Sequence, residues 1–337
     1  MTPSYPYADE ATALHRLERE AFGQALEPFR TRLRVHCYRL MGSLQDADDL
    51  VQETFLRAWK RRETFQGRAT FSAWLYRIAT HACLDALEKR PRRLIPRTRG
   101  AVSTTDQPIG ESIYEPIWLE PLPDEWLGVD ETNPEALLAG RERVSIAFMA
   151  ALHLLPPRQR AVLILREVLE WSAREVAEAL DLSVPAVKSL LRRARVNLGG
   201  QPPEAPQPPL DTALQMRLQA YVQAWESADI PALLALLTED ATFSMPPIPG
   251  WYQGVAEIGR LVGKTIFAGP AAGRWRLIPA KANRQIAFGL YRIDPERGGH
   301  SAYGIQVVTF KGVQVSDIIT FRTPGLVSRF GLPEHVT

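Results

Sequence analysis

The amino-acid sequence predicts a multidomain protein in which two all-α units precede a C-terminal α+β unit. The chain has 337 residues, more than one ordinary domain needs. Apolar residues recur at three- and four-residue spacing through roughly the first 200 residues, a pattern typical of amphipathic helices. Beyond about residue 240 the pattern changes to strand-like runs separated by turns. Stretches without sustained periodicity separate the three units.

The first all-α unit is predicted to contain three helices. Residues 1–14 are expected to form a flexible tail. Breaks at glycine and an end at proline then delimit the elements. The predicted helices cover residues 17–40, 46–61 and 71–89.

The second all-α unit is predicted to contain four helices between about residues 142 and 198 and to end in a helix-turn-helix. Ser172 and Glu175 have the spacing of a capping box at the start of one helix. Asp181 suits the turn because Asp tolerates a left-handed backbone, and Ser183 can cap the following helix.

The second helix of this pattern separates apolar from cationic side chains. Its apolar residues repeat at the spacing of one buried face, which would leave the cationic side for phosphates and guanine edges in the major groove. An ordinary helical hairpin with a solvated basic face would show the same pattern. The predicted DNA-contacting residues are Lys188, Ser189, Arg192, Arg193 and Arg195.

The C-terminal unit, residues 211–337, is predicted to open with an amphipathic helix and a shorter helix near 231–237. A proline-rich linker over residues 200–210 precedes it and is expected to act as a semi-rigid spacer. The predicted strands cover residues 241–245, 275–279, 285–293, 303–310 and 314–321.

Composition and charge narrow the function classes. The net charge is +2, yet residues 100–140 hold about nine acidic residues and no Lys or Arg. Only two cysteines are present, Cys37 and Cys83, which implies no disulfide framework and fits a reducing compartment. The sequence predicts a cytoplasmic protein with no signal peptide, no membrane association, no metal site and no cofactor.

Two long segments resemble the extracytoplasmic-function (ECF) sigma factors. The segment MGSLQDADDLVQETFLRAWKRRETFQGRATFSAWLYRIATHACLDALEKRPRR (Met41–Arg93) resembles their second conserved domain, and LPPRQRAVLILREVLEWSAREVAEALDLSVPAVKSLLRRARVNL (Leu155–Leu198) resembles their fourth. The segment DATFSMPPIPGWYQG (Asp240–Gly254) resembles SnoaL-like domains of the nuclear-transport-factor-2-like superfamily. The motif WLEPLPDEWL (Trp118–Leu127) resembles the sigma-factor subgroup that carries such an extension.

The resemblance implies a helical sigma-2 domain over 15–96 and a sigma-4 helix-turn-helix domain over 141–199, joined by an acidic linker over 97–140. A SnoaL-like cone over 211–337 would follow as an in-cis regulator. The implied protein binds core RNA polymerase and directs promoter recognition, DNA melting and transcription initiation. Its implied partners are the β′ clamp helices and β flap of the polymerase, and promoter DNA, whose minus-thirty-five element the recognition helix would contact.

An acidic and apolar helix face is the candidate polymerase contact. Asp46, Asp49 and Glu53 lie at three- and four-residue spacing and so share a face. A solvated acidic face is the alternative. In sigma factors the matching DLVQE segment docks on the β′ clamp. The predicted docking residues are Asp46, Asp49, Leu50, Gln52 and Glu53.

The resemblance places minus-ten recognition in the loop before the third helix and in that helix. Opening a promoter requires aromatic, polar and cationic groups that hold bases out of the stack. Several of the rings have to be core, and His81 stands where the family usually has Asn. The predicted minus-ten residues are Phe65, Gly67, Arg68, Ala69, Thr70, Phe71, Arg77 and His81.

The acidic linker is either a solvated tether or, as the resemblance implies, a segment that threads the polymerase cleft, where its acidic groups would mimic nucleic acid. The C-terminal domain is expected to offer an apolar pocket for an unidentified small ligand, with plain core as the alternative. Asp317 is the only strand-borne carboxylate considered for acid–base chemistry, and catalysis is not expected. The candidate pocket residues are Trp225, Phe243, Met245, Trp251, Tyr252, Phe288 and Tyr291.

Two rival functions are compatible with parts of the sequence. A free-standing regulator would need only the helix-turn-helix and would leave the acidic helix unexplained. An enzyme would have its activity after residue 210.

Overall fold

The computed structural model describes residues 6–115, 117–128, 144–199 and 211–337. They group into two compact units, the first within Met1–Arg93 and Trp126–Pro203 and the second within Leu94–Glu125 and Glu204–Thr337. Among the described residues, no helix combines the length and the apolar character needed to cross a bilayer.

The first half of the helical unit is built on three long helices, and side chains cap the starts of two of them. Ser43 accepts a hydrogen bond from the Asp46 N–H, and Thr70 accepts one from the Ala73 N–H. The predicted helix over 17–40 is interrupted by a 3₁₀ turn that contains Pro28. The helices are α1 (Ala8–His15), α2 (Arg19–Leu26), α3 (Arg30–Met41), α4 (Leu44–Lys60) and α5 (Phe71–Leu87).

The predicted flexible tail over residues 1–14 is wrong for its described part. Residues Ala8–His15 form α1, and Ala11 and Leu14 are buried. The Tyr7 N–H donates to the Gly67 carbonyl at 3.0 Å. Two apolar residues three positions apart give this short helix a buried side, and their spacing is the sequence signal for the helix.

The second half of the helical unit contains the predicted helix-turn-helix. The capping box is confirmed: the Glu175 N–H donates to Ser172 Oγ at 3.2 Å, and the Ser172 N–H donates to Glu175 Oε2 at 2.6 Å. Asp181 has a φ of 53°, as its place in the turn requires. The elements are α7 (Ile146–Leu154), α8 (Pro157–Leu163) with a π-helical turn (Ile164–Val168), α9 (Ala173–Ala179) and α10 (Val184–Asn197), numbered after α6 (Pro96–Arg99) of the second unit.

The second unit is a mixed sheet, and three of its helices share one buried hydrophobic cluster with it. Its strand order is β2-β1-β6-β5-β4-β3, with β7 paired to β5, and among the strand pairs of the described residues only β1–β6 is parallel. The strands are β1 (Leu237–Ser244), β2 (Trp251–Gln253), β3 (Trp275–Ala282), β4 (Gln285–Ile293), β5 (His300–Lys311), β6 (Gln314–Phe321) and β7 (His335–Val336). Its other helices are α11 (Thr212–Ser227), α12 (Ile230–Leu234), α13 (Val255–Lys264) and α14 (Gly325–Arg329).

The acidic linker is folded over much of its length, which contradicts the expectation of a segment without structure. Residues 94–125 belong to the second unit. The Ser103 N–H donates to the Trp251 carbonyl at 2.8 Å, and the Asn283 N–H donates to the Leu122 carbonyl at 2.8 Å. Leu119 and Leu122 are fully buried. Strand-edge hydrogen bonds and leucine burial therefore order a segment that lacks periodicity of its own.

Parts of the predicted linkers lie outside the described residues. These parts are residues 116 and 129–140 of the acidic linker and the proline-rich linker over 200–210.

Candidate promoter and polymerase interfaces

The predicted recognition helix α10 presents a cationic face away from its buried side. Val187, Leu191 and Ala194 are buried and anchor the helix. Of the predicted DNA-contacting residues, Ser189 is half-buried. The four others are exposed: Lys188, Arg192, Arg193 and Arg195. The exposed charge and the apolar anchor are the two properties that groove insertion requires.

Arg195 differs from its neighbours because an acidic residue holds it. Its guanidinium donates through Nε to Glu167 Oε1 at 3.2 Å and contacts the same oxygen through Nη2. Glu167 lies in the π-helical turn after α8, so an irregular turn sets the direction of this side chain. No local sequence pattern identifies Glu167 as this partner, because it lies 28 positions from Arg195.

The aromatic residues around the predicted minus-ten loop form a core. Phe65 and Phe71 are 3% and 4% exposed, and their ring centroids are 5.3 Å apart. Phe22 on α2 packs edge-on against Phe71. The prediction that Phe65 and Phe71 contact DNA is therefore wrong for this conformation, since rings packed on one another offer no face to a base.

The loop itself is exposed except at its glycine. Arg68, Ala69 and Thr70 are exposed, and Thr70 Oγ1 is engaged as the cap of α5. Gly67 is buried with a φ of 68°, and a Cβ added there would lie 2.3 Å from the Tyr7 carbonyl oxygen. Gly67 is therefore a shape-determining position rather than a contact surface.

Arg77 and His81 point at the helix-turn-helix. Arg77 Nη2 donates to Asp181 Oδ1 at 2.8 Å, and His81 Nε2 lies 2.8 Å from the Ala179 carbonyl oxygen. These pairs are 104 and 98 residues apart in the chain, so no local pattern could have predicted them.

The predicted docking residues on α4 divide between surface and core. Asp49 and Gln52 are exposed, and Glu53 is half-buried, where it accepts from Arg57 Nε at 2.7 Å. Leu50 is 7% exposed, so its predicted contact with polymerase is wrong for this conformation.

The predicted contact of Asp46 with polymerase is also wrong for this conformation. Asp46 is buried, and it forms ion pairs with Arg90 and with Arg93, whose Nη2 is 2.7 Å from Asp46 Oδ2. A carboxylate held by two guanidinium groups fixes the chain after α5 and is not open to a partner.

Leu56 lies on the exposed side of α4 that carries Asp49 and Gln52, but it is not among the predicted docking residues. Its side chain is on α4 and 45% exposed. It lies four positions after Gln52, so the helical spacing places it beside Gln52 and Glu53. The same helical spacing, extended by one turn beyond Gln52, predicts Leu56 as part of this face.

The candidate pocket of the C-terminal unit is largely core. Five of the seven residues belong to one buried hydrophobic cluster: Trp225, Phe243, Met245, Tyr252 and Phe288. Tyr291 is on the opposite face of β4 from Phe288, and its hydroxyl donates to the Pro333 carbonyl at 2.7 Å. Trp251 Nε1 donates to the Gly100 carbonyl at 2.9 Å, so this indole binds the linker. Tyr291 and Trp251 therefore do not join the other five.

A polar chain crosses the same core. The Tyr221 hydroxyl donates to Gln306 Oε1 at 2.7 Å, and Gln306 Nε2 donates to Thr320 Oγ1 at 2.9 Å. Burial raises the pKa of Tyr221 well above its ordinary value, so the phenol stays protonated. Asp317 lies on the opposite face of β6 from the core residue Ile318 and accepts a hydrogen bond from Thr242.

Comparison with known proteins identifies the family of this chain. Three family models match: Sigma-70 region 2 at residues 26–93, Sigma-70, region 4 at 145–198, and a SnoaL-like domain at 218–318. The ECF RNA polymerase sigma factor SigG of Mycobacterium tuberculosis is 43% identical over 322 residues, which cover 94% of this chain and 85% of SigG. The chain belongs to the ECF RNA polymerase sigma factors.

Other ECF sigma factors agree with this assignment. SigW of Bacillus subtilis is 29% identical over 185 residues, covering 55% of this chain and 90% of SigW. The crystal structure of SigJ from Mycobacterium tuberculosis matches with a TM-score of 0.58 and 24% identity, covering 92% of this chain and 99% of SigJ. The SigJ match supports the fold: helical sigma regions followed by an α+β domain. As an ECF sigma factor, the protein acts with core RNA polymerase at promoters, which excludes the free-standing regulator.

Proposed function

We propose that this sigma factor recognises the minus-thirty-five element through the exposed cationic face of α10. The observation that carries the proposal is the separation on one helix of buried Val187, Leu191 and Ala194 from exposed Lys188, Arg192 and Arg193. Lys188 and Arg192 lie four positions apart and can reach adjacent base edges or phosphates in one groove. Arg195, held by Glu167, is assigned to the phosphate backbone.

The minus-ten element is assigned to the exposed loop residues Arg68, Ala69 and Thr70, together with Arg77 and His81 on α5. A loop that exposes a cation and backbone groups beside a helix can hold an unstacked strand. Buried residues hold this loop in its conformation: Gly67, Phe65 and Phe71.

Polymerase docking is assigned to the α4 surface formed by Asp49, Gln52, Glu53 and Leu56. One exposed leucine among acidic and amide groups fits a basic partner helix that brings its own apolar positions. Asp46 and Leu50 support this surface without belonging to it.

Run-off transcription with core polymerase tests these assignments. A promoter is first selected from random duplexes with the wild-type holoenzyme, and full-length Arg192→Ala, Gln52→Arg and Leu56→Arg are then compared on it. Arg192→Ala is expected to lower transcript by about tenfold while core binding is retained, since one bidentate base contact is worth about 1–3 kcal/mol. Gln52→Arg and Leu56→Arg are expected to weaken core binding itself.

The charge-matched control is Arg217→Ala, at an exposed position on α11. It should transcribe as the wild type does. Equal transcript yields from Arg192→Ala and Arg217→Ala would contradict the minus-thirty-five assignment.

The C-terminal domain is proposed to regulate initiation in cis by holding the linker. In sigma factors the matching linker enters the polymerase cleft, and a segment hydrogen-bonded to β2 and to the β3–β4 turn is not free to do so. Regulation, not catalysis, is proposed because Asp317 lies away from the apolar core where a ligand would bind.

The linker's acidic groups are assigned the role of a nucleic-acid mimic in the cleft. Replacing Glu120, Asp124 and Glu125 with Ala is expected to weaken initiation without altering folding of the helical unit. Unchanged yields of abortive and run-off transcripts would contradict this assignment.

A further inference from the structure

The two halves of the helical unit meet at a buried polar joint. Arg160 on α8 is 1% exposed, and its guanidinium donates to the carbonyl of Leu40 in the last turn of α3. The same guanidinium donates to the carbonyls of His153 and Leu155 at 3.1 and 3.2 Å. The last carbonyls of a helix have no partners within it and carry its negative dipole end. Arg160 therefore closes the end of a helix that belongs to the other half of the unit.

His153 forms the second part of this joint. Its Nε2 is 3.2 Å from the Arg39 carbonyl oxygen, also in the last turn of α3, and its Nδ1 is 3.1 Å from Arg160 Nη1. Since Arg160 can only donate, Nδ1 accepts and Nε2 carries the proton. Burial, with the charge of Arg160 beside it, lowers the pKa of His153 well below its ordinary value, which keeps this neutral tautomer in place.

Within the part of the chain that the structure describes, the two terminal nitrogens of Arg160 are bonded to neutral acceptors and to no carboxylate, and its Nε has no hydrogen-bond partner. Desolvation lowers the pKa of Arg160 to about 9. A buried cation that regains full hydration on exposure gives a contact that holds but can be released. An apolar interface would hold the two halves of the helical unit together more strongly than this polar joint does.

A second contact lies at the edge of the same interface. Arg77 and His81 on α5 bond to Asp181 and to the Ala179 carbonyl at the helix-turn-helix. These side chains keep 45% and 34% of their surface exposed, so the pairs add little stability of their own. These pairs matter because they engage Arg77 and His81, the two α5 residues assigned above to the minus-ten element.

We propose that the Arg160–His153 joint is an intramolecular latch that holds the helix-turn-helix half over the minus-ten face and has to open before the promoter is read. The proposal rests on the minus-ten assignment of Arg77 and His81. While those side chains bond to the helix-turn-helix they cannot contact DNA. Opening frees them and exposes Arg160 and His153 together.

A reversible crosslink tests the need for opening. Arg77→Cys and Asp181→Cys are introduced into the full-length chain and joined with a short bis-maleimide reagent that contains a disulfide. Compared with the same double-cysteine protein before crosslinking, the crosslinked protein is expected to lose at least about nine-tenths of its run-off transcript with core polymerase, and reduction is expected to return it to that starting level. Each sample is its own control, because crosslinked and reduced protein carry the same substitutions. Equal transcript before and after reduction would overturn the latch.

Substitution of the buried arginine tests the latch from the other side. Arg160→Met keeps the side-chain volume and removes the donors. Spin labels at Glu88→Cys and Arg174→Cys, both exposed, report the distance between α5 and α9. The open fraction is expected to rise by about tenfold, the effect of losing a hydrogen-bonded charged group. Arg158→Met, at an exposed position on the same helix, is expected to leave the distances unchanged.

Two further readings keep the outcomes distinct. If Arg160→Met lowers the helical content, Asp181→Ala at the exposed edge replaces it, and a smaller rise in open fraction is expected. A wild-type chain that yields no transcript with core polymerase would refute the proposed function. A wild-type chain that transcribes, with Arg160→Met and Arg158→Met giving the same distances, would refute the latch alone.

Discussion

Single residues fix the shape of the proposed minus-ten loop, and Gly67 is the clearest of them. Its φ of 68° and the Tyr7 backbone lying against it leave no room for a side chain. Gly67→Ala is expected to displace Tyr7 and α1 and to destabilise the helical unit by about 1–3 kcal/mol. Hydrogen exchange of the α1 amides measures the displacement. Gly23→Ala, where nothing lies within 4 Å of the new methyl, is the control and should leave exchange unchanged.

His36 gives the helical unit a pH dependence. It is fully buried, its Nε2 is 2.8 Å from Thr80 Oγ1, and burial lowers its pKa to about 3, with the charge of Arg39 acting in the same direction. Because the unfolded residue titrates near pH 6.5, the neutral native form is favoured above that pH, and stability is lost as the pH falls from about 6.5 toward 3.

The loss is expected to reach about 1.4 kcal/mol per pH unit for this group. His36→Gln removes the titration while retaining a donor for Thr80. Urea midpoints at pH 7.5 and 5.0 measure the effect, and identical pH dependence in both proteins would contradict it.

At this scale, residue type and spacing predicted which side chains face outward on α10 but not on α4. Lys188, Arg192 and Arg193 are exposed as expected, since Val187 and Ala194 define one buried side locally. On α4, carboxylates at three- and four-residue spacing predict one exposed surface, whereas Asp46 is buried. The partners that bury Asp46 are Arg90 and Arg93, more than forty residues away, so the pattern within the helix could not reveal them.

Among the elements, the helix-turn-helix depends on its caps. Ser172→Ala removes the hydroxyl that accepts from the Glu175 N–H and leaves the reciprocal bond of Glu175 without its counterpart. We expect a loss of about 1 kcal/mol in the unfolding free energy of the helical unit. Thermal melts of the full-length protein measure it. Ser183→Ala, which removes the cap of α10, should cost a similar amount, and no change in either variant would contradict the capping role.

Elements with strong local signals were predictable, and short or tertiary ones were not. Strands β4 and β6 have the predicted bounds because alternation and turn residues mark both ends. Strand β2 has three residues, too few for an alternating pattern, and α13 was missed although Ile258, Leu261 and Val262 give it an apolar face. Residues 94–125 are held in a defined conformation by hydrogen bonds to β2 and to the β3–β4 turn, which lie more than a hundred residues away in the sequence.

At the scale of the whole molecule, the linker's attachment to the second unit is open to test. Asn283 has a left-handed φ of 56°, and its Oδ1 accepts from the Leu122 N–H at 2.7 Å. Asn283→Gly keeps the backbone conformation and removes the acceptor. Amides of residues 117–122 are expected to exchange with solvent about tenfold faster, as the loss of one buried hydrogen bond implies. Gly312→Asn, in another left-handed turn with open space around it, should leave them protected.

The second unit is assembled from two pieces of chain, residues 94–125 and the final third, that stand on either side of the helix-turn-helix in the sequence. A ribosome that has made both DNA-binding modules has not yet made the sheet on which residues 94–125 fold. Until the sheet has been made, residues 94–125 lack the strand edge and the turn to which they are hydrogen-bonded. A nascent chain would therefore carry the residues proposed to contact the promoter before residues 94–125 are held by the sheet.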